Sequence, residues 1–389
     1  MGCCEVTKPA ILYIAHNYFN RAGVEEHVRD LRLALHDRYA IHVAFPHAGQ
    51  YVLLGPDDNS IAWPGDQVHW PLAQLETINL GRAFAAIMTA AKPALIHVQH
   101  FANWPLGILD KALATGLPVV ISHHDYFPIT PYFTMQGVPM PEDCFSPAEC
   151  LRLFGADISV PLRRRSALIG EILRRADLNV APSAYLAAVL KRVYEWVDCH
   201  IVEHGIKSFL RPPRRTKVGA MRFGYVGAVL PQKGAEFLLH AYARAGFSPE
   251  RCELHFFGGA ISTDVPGVHF HGPYEPGHLP RICSEIDIAV IPSLFPETYS
   301  LVLSEMLMGG LPVIASDIGA LGARVRALEC GRTFTPGDVD NLIETLRWFV
   351  DHDHWRSWAI PLPRIVQDMA SDYADIYDSL IAENCSRTL

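Results

Sequence analysis

Asp287-Ile-Ala-Val-Ile-Pro-Ser-Leu-Phe-Pro-Glu297-Thr-Tyr-Ser-Leu-Val-Leu-Ser-Glu305-Met-Leu-Met-Gly-Gly-Leu-Pro312-Val-Ile-Ala-Ser316 is the stretch that decides the fold. The apolar run over 286–291, broken only by Asp287 and stopped by Pro292, predicts a strand buried on both faces of a parallel sheet. A loop follows over 293–296. Leu301, Leu303, Met306 and Leu307 then suit a helix, which Gly309-Gly310 stops. Residues 311–315 form the next strand. The pattern is one βαβ unit of an α/β fold, with its helix N-terminus at the carboxyl edge of the sheet.

Open α/β sheets bind ligands at that edge. The amides of Tyr299, Ser300 and Leu301 carry partial positive charge and suit a phosphate. Glu297 lies just before the helix. Glu305 lies in its second turn, on a face that is otherwise apolar. A carboxylate there is costly unless a polar group meets it, and ribose hydroxyls would serve. A phosphate on the amides, a ribose on Glu305 and a sugar near Glu297 together describe a nucleotide-sugar.

Glu297 and Glu305, with seven residues between them, stand between Val-Ile-Pro-Ser and Gly-x-Pro-Val-Ile-Ala-Ser. This setting resembles the Glu-x7-Glu signature of the retaining GT-B glycosyltransferases of glycosyltransferase family 4. The resemblance implies two Rossmann-like domains with parallel sheets facing across a cleft. An acceptor domain is expected over 1–207 and a donor domain over 208–362. A final helix over 363–389 is expected to cross back to the first domain.

Bulk properties fit such a chain. Its 389 residues exceed what one core usually serves. Half are hydrophobic and 19% charged, a globular balance. A net charge of -8 and a pI near 6.2 argue against nucleic acid as a partner. No apolar run is long enough to span a bilayer, and no signal peptide is expected. Nine scattered cysteines suit a reducing cytosol, so a cytoplasmic location is expected. Met1-Gly2-Cys3-Cys4 invites lipidation, but Val6 stands where that motif needs Ser or Thr. Cys144 and Cys150 match no standard zinc spacing and are expected as thiols in a loop.

The chain opens with a strand at 10–15, a loop ending in Ala22-Gly23 and a helix from Val24. The loop resembles the family's Gly-Gly-x-Glu element, which approaches the donor diphosphate; only Gly23 matches, and a plain turn stays open. Further βα units follow: strands at 41–45, 94–98 and 117–122, helices at 81–91 and 105–115. Asp57-Asp58-Asn59 has turn composition. His123, His124 and Asp125 could hold a metal, but neighbours on a strand end point to opposite sides. The resemblance instead gives His124 a contact with the donor sugar near the reacting carbon. Residues 128–161 read as a long loop, expected on the acceptor side. The helix over 161–175 clusters its arginines. A membrane-facing role for Arg163–Arg175 and a solvated helix face both stay open. His204-Gly-Ile-Lys207 departs from the family's Asn-Gly-Ile-Asp.

Residues 211–217 read as a linker. A strand over 221–227 then leads through Lys233-Gly234 to a helix over 235–245. This resembles the family's Gly-Arg-Leu-x-x-x-Lys-Gly element, whose Arg and Lys clasp the diphosphate. Lys233 matches and Ala228 takes the place of the Arg. The resemblance places the nucleotide base at the strand over 252–257 and Gly259, where Tyr274 could stack on it. Gly227 belongs with the same donor loops. Ala323 stands where the family often carries Glu. Asp351-His-Asp-His354 reads as a solvated helix end.

The expected reaction is transfer of a sugar from a nucleoside diphosphate sugar to a glycan or lipid-linked acceptor, with retention, in surface polysaccharide assembly. Glu297, His124 and Lys233 are the candidate catalytic residues. Gly23, Gly227, Gly259, Tyr274, Tyr299, Ser300, Leu301 and Glu305 are the candidate donor contacts. Neither a cofactor nor a metal is expected, since Lys233 and the helix dipole would bear the leaving-group charge. The rivals are a catalytically weakened partner subunit, suggested by Ala22, Ala228 and Ala323, a two-lobed solute-binding protein, and a nucleotide-sugar epimerase of the same shape.

Overall fold

A computed structural model describes residues 8–69, 72, 77–135, 144–215 and 219–388. Contacts divide the chain into two units, Met1–His204 with Val366–Leu389, and Gly205–Ile365.

The first unit runs β1 (Ala10–Ile14), α1 (Gly23–Leu35), β2 (Ala40–His47), β3 (Gln50–Leu54), β4 (Ser60–Pro64), α2 (Leu80–Ala91), β5 (Leu95–Val98), α3 (Gly107–Leu113), β6 (Val119–Ser122), α4 (Pro147–Phe154), α5 (Ser159–Arg175), β7 (Leu178–Ala181), α6 (Ala184–Val193) and β8 (Cys199–Ile201). The strand order is β4-β3-β2-β1-β5-β6-β7-β8. Six strands are parallel, as expected, and β3 and β4 add an antiparallel hairpin to one edge. The turn expected at 57–59 joins them, and Asp58 there pairs with Arg32 at 2.7 Å. The fully buried β5 and β6, and β1 buried from Ile11 onward, explain the apolar runs of sequence.

Part of the stretch expected as a long loop is helical. Ser146 caps α4 by accepting the Glu149 N–H at 3.2 Å, and Pro147 occupies the first turn. Residues 136–143 of that stretch lie outside the described residues. Cys144 and Cys150 are buried thiols.

Of the arginines of α5, Arg165 is buried and the others lie at the surface, three of them with partners on this unit. Arg165 is buried, donates to the carbonyls of Phe127 at 2.8 Å and Pro128 at 3.4 Å, and lies over the Phe127 ring. Burial lowers its guanidinium to about 10. Arg163 holds the Phe145 carbonyl, Arg174 pairs with Glu171, and Arg175 with Asp110. These contacts favour a helix packed on its own domain over a free basic face. Arg165→Ala should lower stability by about 2–3 kcal/mol, because two carbonyls lose their donor and a cavity opens. The exposed Arg164→Ala should change it by under about 0.5 kcal/mol. Urea unfolding of both variants checks the difference.

The second unit runs β9 (Met221–Val226), α7 (Ala235–Ala245), β10 (Cys252–Phe257), β11 (Val268–Phe270), α8 (Leu279–Glu285), β12 (Ile288–Ile291), α9 (Leu301–Met308), β13 (Val313–Ser316), α10 (Gly319–Ala327), β14 (Gly331–Phe334) and α11 (Val339–Asp351). Its six strands are all parallel, in the order β11-β10-β9-β12-β13-β14. That is the doubly wound order, whose topological switch point lies between β9 and β12. Ile286 and Asp287 precede β12 rather than belonging to it. The buried Asp287 carboxylate accepts from Arg215 at 2.6 Å and from the Arg222 N–H at 2.9 Å, which explains a charge inside an apolar run. Arg211 donates to the carbonyls of Leu307 and Met308, so the stretch expected as a linker packs within this unit; residues 216 and 217 lie outside the described residues.

The last helix, α12 (Val366–Thr388), belongs to the first unit. Tyr373 and Tyr377 bury against α1 and the central strands. Their hydroxyls bond Ser122 at 3.0 Å and His97 at 2.6 Å. Among the described residues, no helix is long and apolar enough to cross a membrane.

Candidate active site

The carboxyl ends of β9 and β12 carry the two loops that sequence reasoning singled out. After β9 the chain passes Gly227, a 3-10 turn at Pro231–Lys233 and Gly234 before entering α7. After β12 it passes Ser293 and Glu297 before entering α9. Two contacts hold the loops together. The Leu294 N–H donates to the Gln232 carbonyl at 2.8 Å. Gly234 has φ +74 and lies so close to Pro292 that a Cβ would fall 1.9 Å from its carbonyl oxygen. Only glycine fits there.

This approach brings Lys233 to Glu297, with Nζ 2.9 Å from Oε1. Glu297 is 5% exposed. Burial alone would raise its carboxyl. Lys233, together with hydroxyls from Ser293 and Ser300, outweighs that and holds it below the ordinary 4.5. Glu297 is therefore a carboxylate at neutral pH, with a cation and hydroxyl donors around it. Its own carbonyl accepts from the Ala320 N–H at 2.8 Å, which ties the turn to the start of α10.

Helix α9 starts at Leu301, two residues later than Tyr299. Ser300 is its N-cap, with φ +75, and its hydroxyl accepts the Leu303 N–H at 3.5 Å. A non-glycine residue at such a φ stores strain that the surroundings must hold. Arg324 supplies part of that hold. Its guanidinium lies 3.7 Å over the Tyr299 ring and donates to the carbonyls of Tyr299 at 2.8 Å and Ser300 at 3.0 Å. Tyr299 is thus a buried anchor of the turn, not the first residue of the helix. Leu301 and Val302 head the first turn, where the helix itself offers N–H groups no carbonyl. Sequence reasoning missed Arg324, and it missed Ser293 as a ligand of Glu297. Ser293 sat inside the deciding stretch; nothing in spacing marked Arg324.

Glu305 is partly exposed on α9, and burial of its carboxyl pushes it up to about 7. Burial first, and then the nearby Glu305, raises the Tyr274 hydroxyl. Tyr274 packs against the apolar cluster under α8 and α9. The two candidate donor contacts are therefore neighbours. Gly227 follows β9 at φ +142 and donates its N–H to the Phe257 carbonyl, so it offers a ligand room rather than a donor. Gly259 follows β10. Because the native Glu305 keeps its proton where an unfolded glutamate has lost it, the stability that this group contributes is fully present near pH 4.5 and below. It should fall by about 3 kcal/mol as pH rises through 7. Glu305→Gln should flatten that slope in urea unfolding run from pH 5 to 8.

In the first unit, Gly23 opens α1 behind Ala22, whose carbonyl accepts from Glu26. His123 and His124 separate as expected of neighbours at a strand end. His123 bonds Asn179 at 3.1 Å, whereas His124 Nε2 lies 3.3 Å from Gln99 Oε1. The His124 ring stacks on His204 at 5.2 Å and meets His27 edge-on at 4.7 Å. Burial first, then His27 and other histidines, holds His124 neutral well below the usual imidazole range. Asp125 turns to His100 at 3.2 Å. A cavity of about 300 Å³ in this unit is lined by Leu113, Arg175 and Arg387 among others, and by none of the candidate site residues.

Residues 220–352 match the family described as glycosyl transferases group 1, and residues 21–208 match glycosyltransferase family 4. The structure is similar to sucrose-phosphate synthase from Thermosynechococcus elongatus, with a TM-score of 0.66 and 18% identity, covering 97% of this chain and 100% of that one. The chain has the GT-B fold. The Anabaena protein HepE in complex with UDP and glucose is similar with a TM-score of 0.58 and 16% identity, over 97% of this chain and 99% of that one. In sequence, the MMP alpha-(1->4)-mannosyltransferase of Mycolicibacterium hassiacum is 30% identical over 165 residues, 39% of each chain. The sulfoquinovosyl transferase of Arabidopsis thaliana is 25% identical over 287 residues, 67% of this chain and 50% of that protein. The chain spans half or less of the length of these two relatives.

Proposed function

We propose that this chain is a retaining glycosyltransferase that moves a sugar from a nucleoside diphosphate sugar to a glycan or glycolipid hydroxyl in surface polysaccharide assembly. The observation that carries the reading is the meeting of Lys233 and Glu297 at the switch point, beside the N-terminus of α9. The bond between the anomeric carbon and the diphosphate oxygen breaks, and negative charge grows on the leaving group. Lys233 and the first amides of α9 stabilise that charge, a type of contribution worth about 3 kcal/mol per donor. Glu297 accepts hydroxyls of the sugar and favours the cationic ring. Glu305 accepts ribose hydroxyls, and Tyr274 stacks on the base. The acceptor oxygen bonds the anomeric carbon on the face the diphosphate leaves, and its proton passes to the departing phosphate oxygen. His124 enters this scheme from the resemblance alone, as a contact to the sugar, as does Gly23. Two relatives named for mannosyl and sulfoquinovosyl transfer, and a structural neighbour solved with UDP, support a nucleotide-sugar donor.

A thermal-shift screen with UDP, ADP, GDP and their sugars tests the reading. A ligand at a hundred times its Kd adds about 2.7 kcal/mol to apparent stability. One nucleotide class should raise the transition, and its sugar should then be hydrolysed or transferred. If none of them shifts it, the donor site is absent. The weakened-subunit reading keeps one observation in its favour: Arg324 spends its donors behind the turn and so does not replace the cation missing at Ala228. Nucleotide binding without turnover of any donor would favour it. Isomerisation of the sugar without an acceptor would favour an epimerase.

A further inference from the structure

We propose that His27, His124 and His204 form a binding site for a divalent transition metal, Zn²⁺ in the first place, within the first unit. His27 lies in the second turn of α1, His124 just past β6 and His204 just past β8. The rings of His27 and His204 are 4.7 Å apart, completing a triangle with the two distances given above. One nitrogen from each ring lies within 4.8 Å of the other two. Nitrogens so spaced lie at most about 2.8 Å from a common centre, and Zn–N bonds are about 2.0–2.1 Å, so each needs to move by less than about 1 Å.

The second observation is His27 itself. It is 7% exposed, and neither of its ring nitrogens makes a hydrogen bond of ordinary geometry, although Gln99 lies near enough to interact with it. A buried imidazole left in that state is costly unless a further group meets it. The adjoining network prepares His124 in the same sense. Tyr377 and the Gln99 amide both donate to His97 Nδ1, at 2.6 and 3.1 Å. That fixes Gln99 with Oε1 toward His124, so His124 carries its proton on Nε2 and a lone pair on Nδ1. A hydrogen bond of this kind supports a metal ligand when it falls on the nitrogen away from the ion. Three imidazoles with no carboxylate suit Zn²⁺, Co²⁺ or Ni²⁺ better than Mg²⁺ or Ca²⁺. The site would tie α1 to the carboxyl ends of β6 and β8.

The three ligands are far apart in sequence, so no spacing motif marks them. His204 is also the position where the family resemblance leads one to expect Asn, and the substitution supplies the third imidazole. A second such grouping among the described residues, Glu253 with His255 and His269, has its carboxylate bonded to Arg222 at 2.8 Å and to His255 at 3.2 Å.

The test uses the full chain, stripped with a chelator, loaded with Zn²⁺ or Co²⁺, and gel-filtered. About one equivalent of metal should be retained, and Zn²⁺ should raise the melting temperature. His27→Gln and His204→Asn should each reduce retention at least tenfold and abolish the thermal shift. X-ray absorption at the zinc edge of the unaltered protein should count three imidazoles. Retention no greater than that of a control protein overturns the site. So does undiminished retention in the two variants, or a zinc environment with fewer than three imidazoles. The absorption measurement needs no variant to fold, and none of these readouts depends on sugar transfer.

Discussion

Glu297→Gln should lower the transfer rate by about 10²–10³-fold, while nucleoside diphosphate binds as tightly as before or more tightly. The rate falls because the carboxylate is the group that favours positive charge on the sugar ring in the transition state, and an oriented charge in a buried site is worth about 3–4 kcal/mol there. Affinity does not fall, because Lys233 now shares its charge with Glu297 at 2.9 Å. Glutamine takes half of that competition away and leaves the ammonium to the diphosphate. The amide keeps the size of the side chain and can still meet the Ser293 hydroxyl, which bonds Glu297 Oε1 in the native protein. Stability should therefore change by no more than about 1–2 kcal/mol. Single-turnover kinetics and nucleotide titration separate the two effects. Turnover within threefold of the native rate would remove Glu297 from the chemistry.

The deciding stretch was legible because its physics is local. A continuous apolar run, a proline stop, a helix with a glycine end and a second apolar run leave few arrangements other than βαβ. The fate of Asp287 was not legible, because its partners Arg215 and Arg222 come from elsewhere in the chain. Helix α4 was legible in principle: Ser146-Pro147 followed by Glu149 is a strong start signal, obscured by the prolines around it. The hairpin β3–β4 was harder, since four consecutive residues of β3 are buried and β4 is an exposed edge, so neither alternates. At the site, the residue types at 233, 297 and 305 could be picked out from their surroundings. Their convergence could not. It depends on Gly234 lying against Pro292, a contact between segments nearly sixty residues apart. Arg324 and the imidazoles at 27, 124 and 204 fall in the same class: side chains with ordinary local settings whose meaning comes from what the topology places beside them.

Lys233→Met should remove transfer and reverse the sign of one pH dependence of stability. In the native protein Glu297 sits below its ordinary 4.5, so the pair's stabilisation is present above about pH 4.5 and is lost as pH falls through the lowered value. Burial is already the largest single influence on that carboxyl, and without Lys233 the remaining hydroxyl donors no longer outweigh it, so the carboxyl moves above its ordinary value. The native state of the variant then holds a proton that the unfolded chain releases, and stability is lost as pH rises. The deficit relative to the native protein should be largest at pH 7–8 and shrink toward pH 4. A fully buried pair broken from one side costs about 3–5 kcal/mol; the Lys233 side chain is 34% exposed, so solvent screening brings the expectation to about 1–3 kcal/mol. Adding Glu297→Gln to Lys233→Met removes the unpaired carboxylate and should recover most of the deficit at pH 8, although neither variant transfers sugar. A cycle of the two single variants and the double variant, unfolded in urea at pH 5 and pH 8, measures the coupling directly. Deficits that are equal at both pH values would mean that the two groups do not share a charge in solution. Lys233 would then be free to meet the diphosphate without first leaving Glu297.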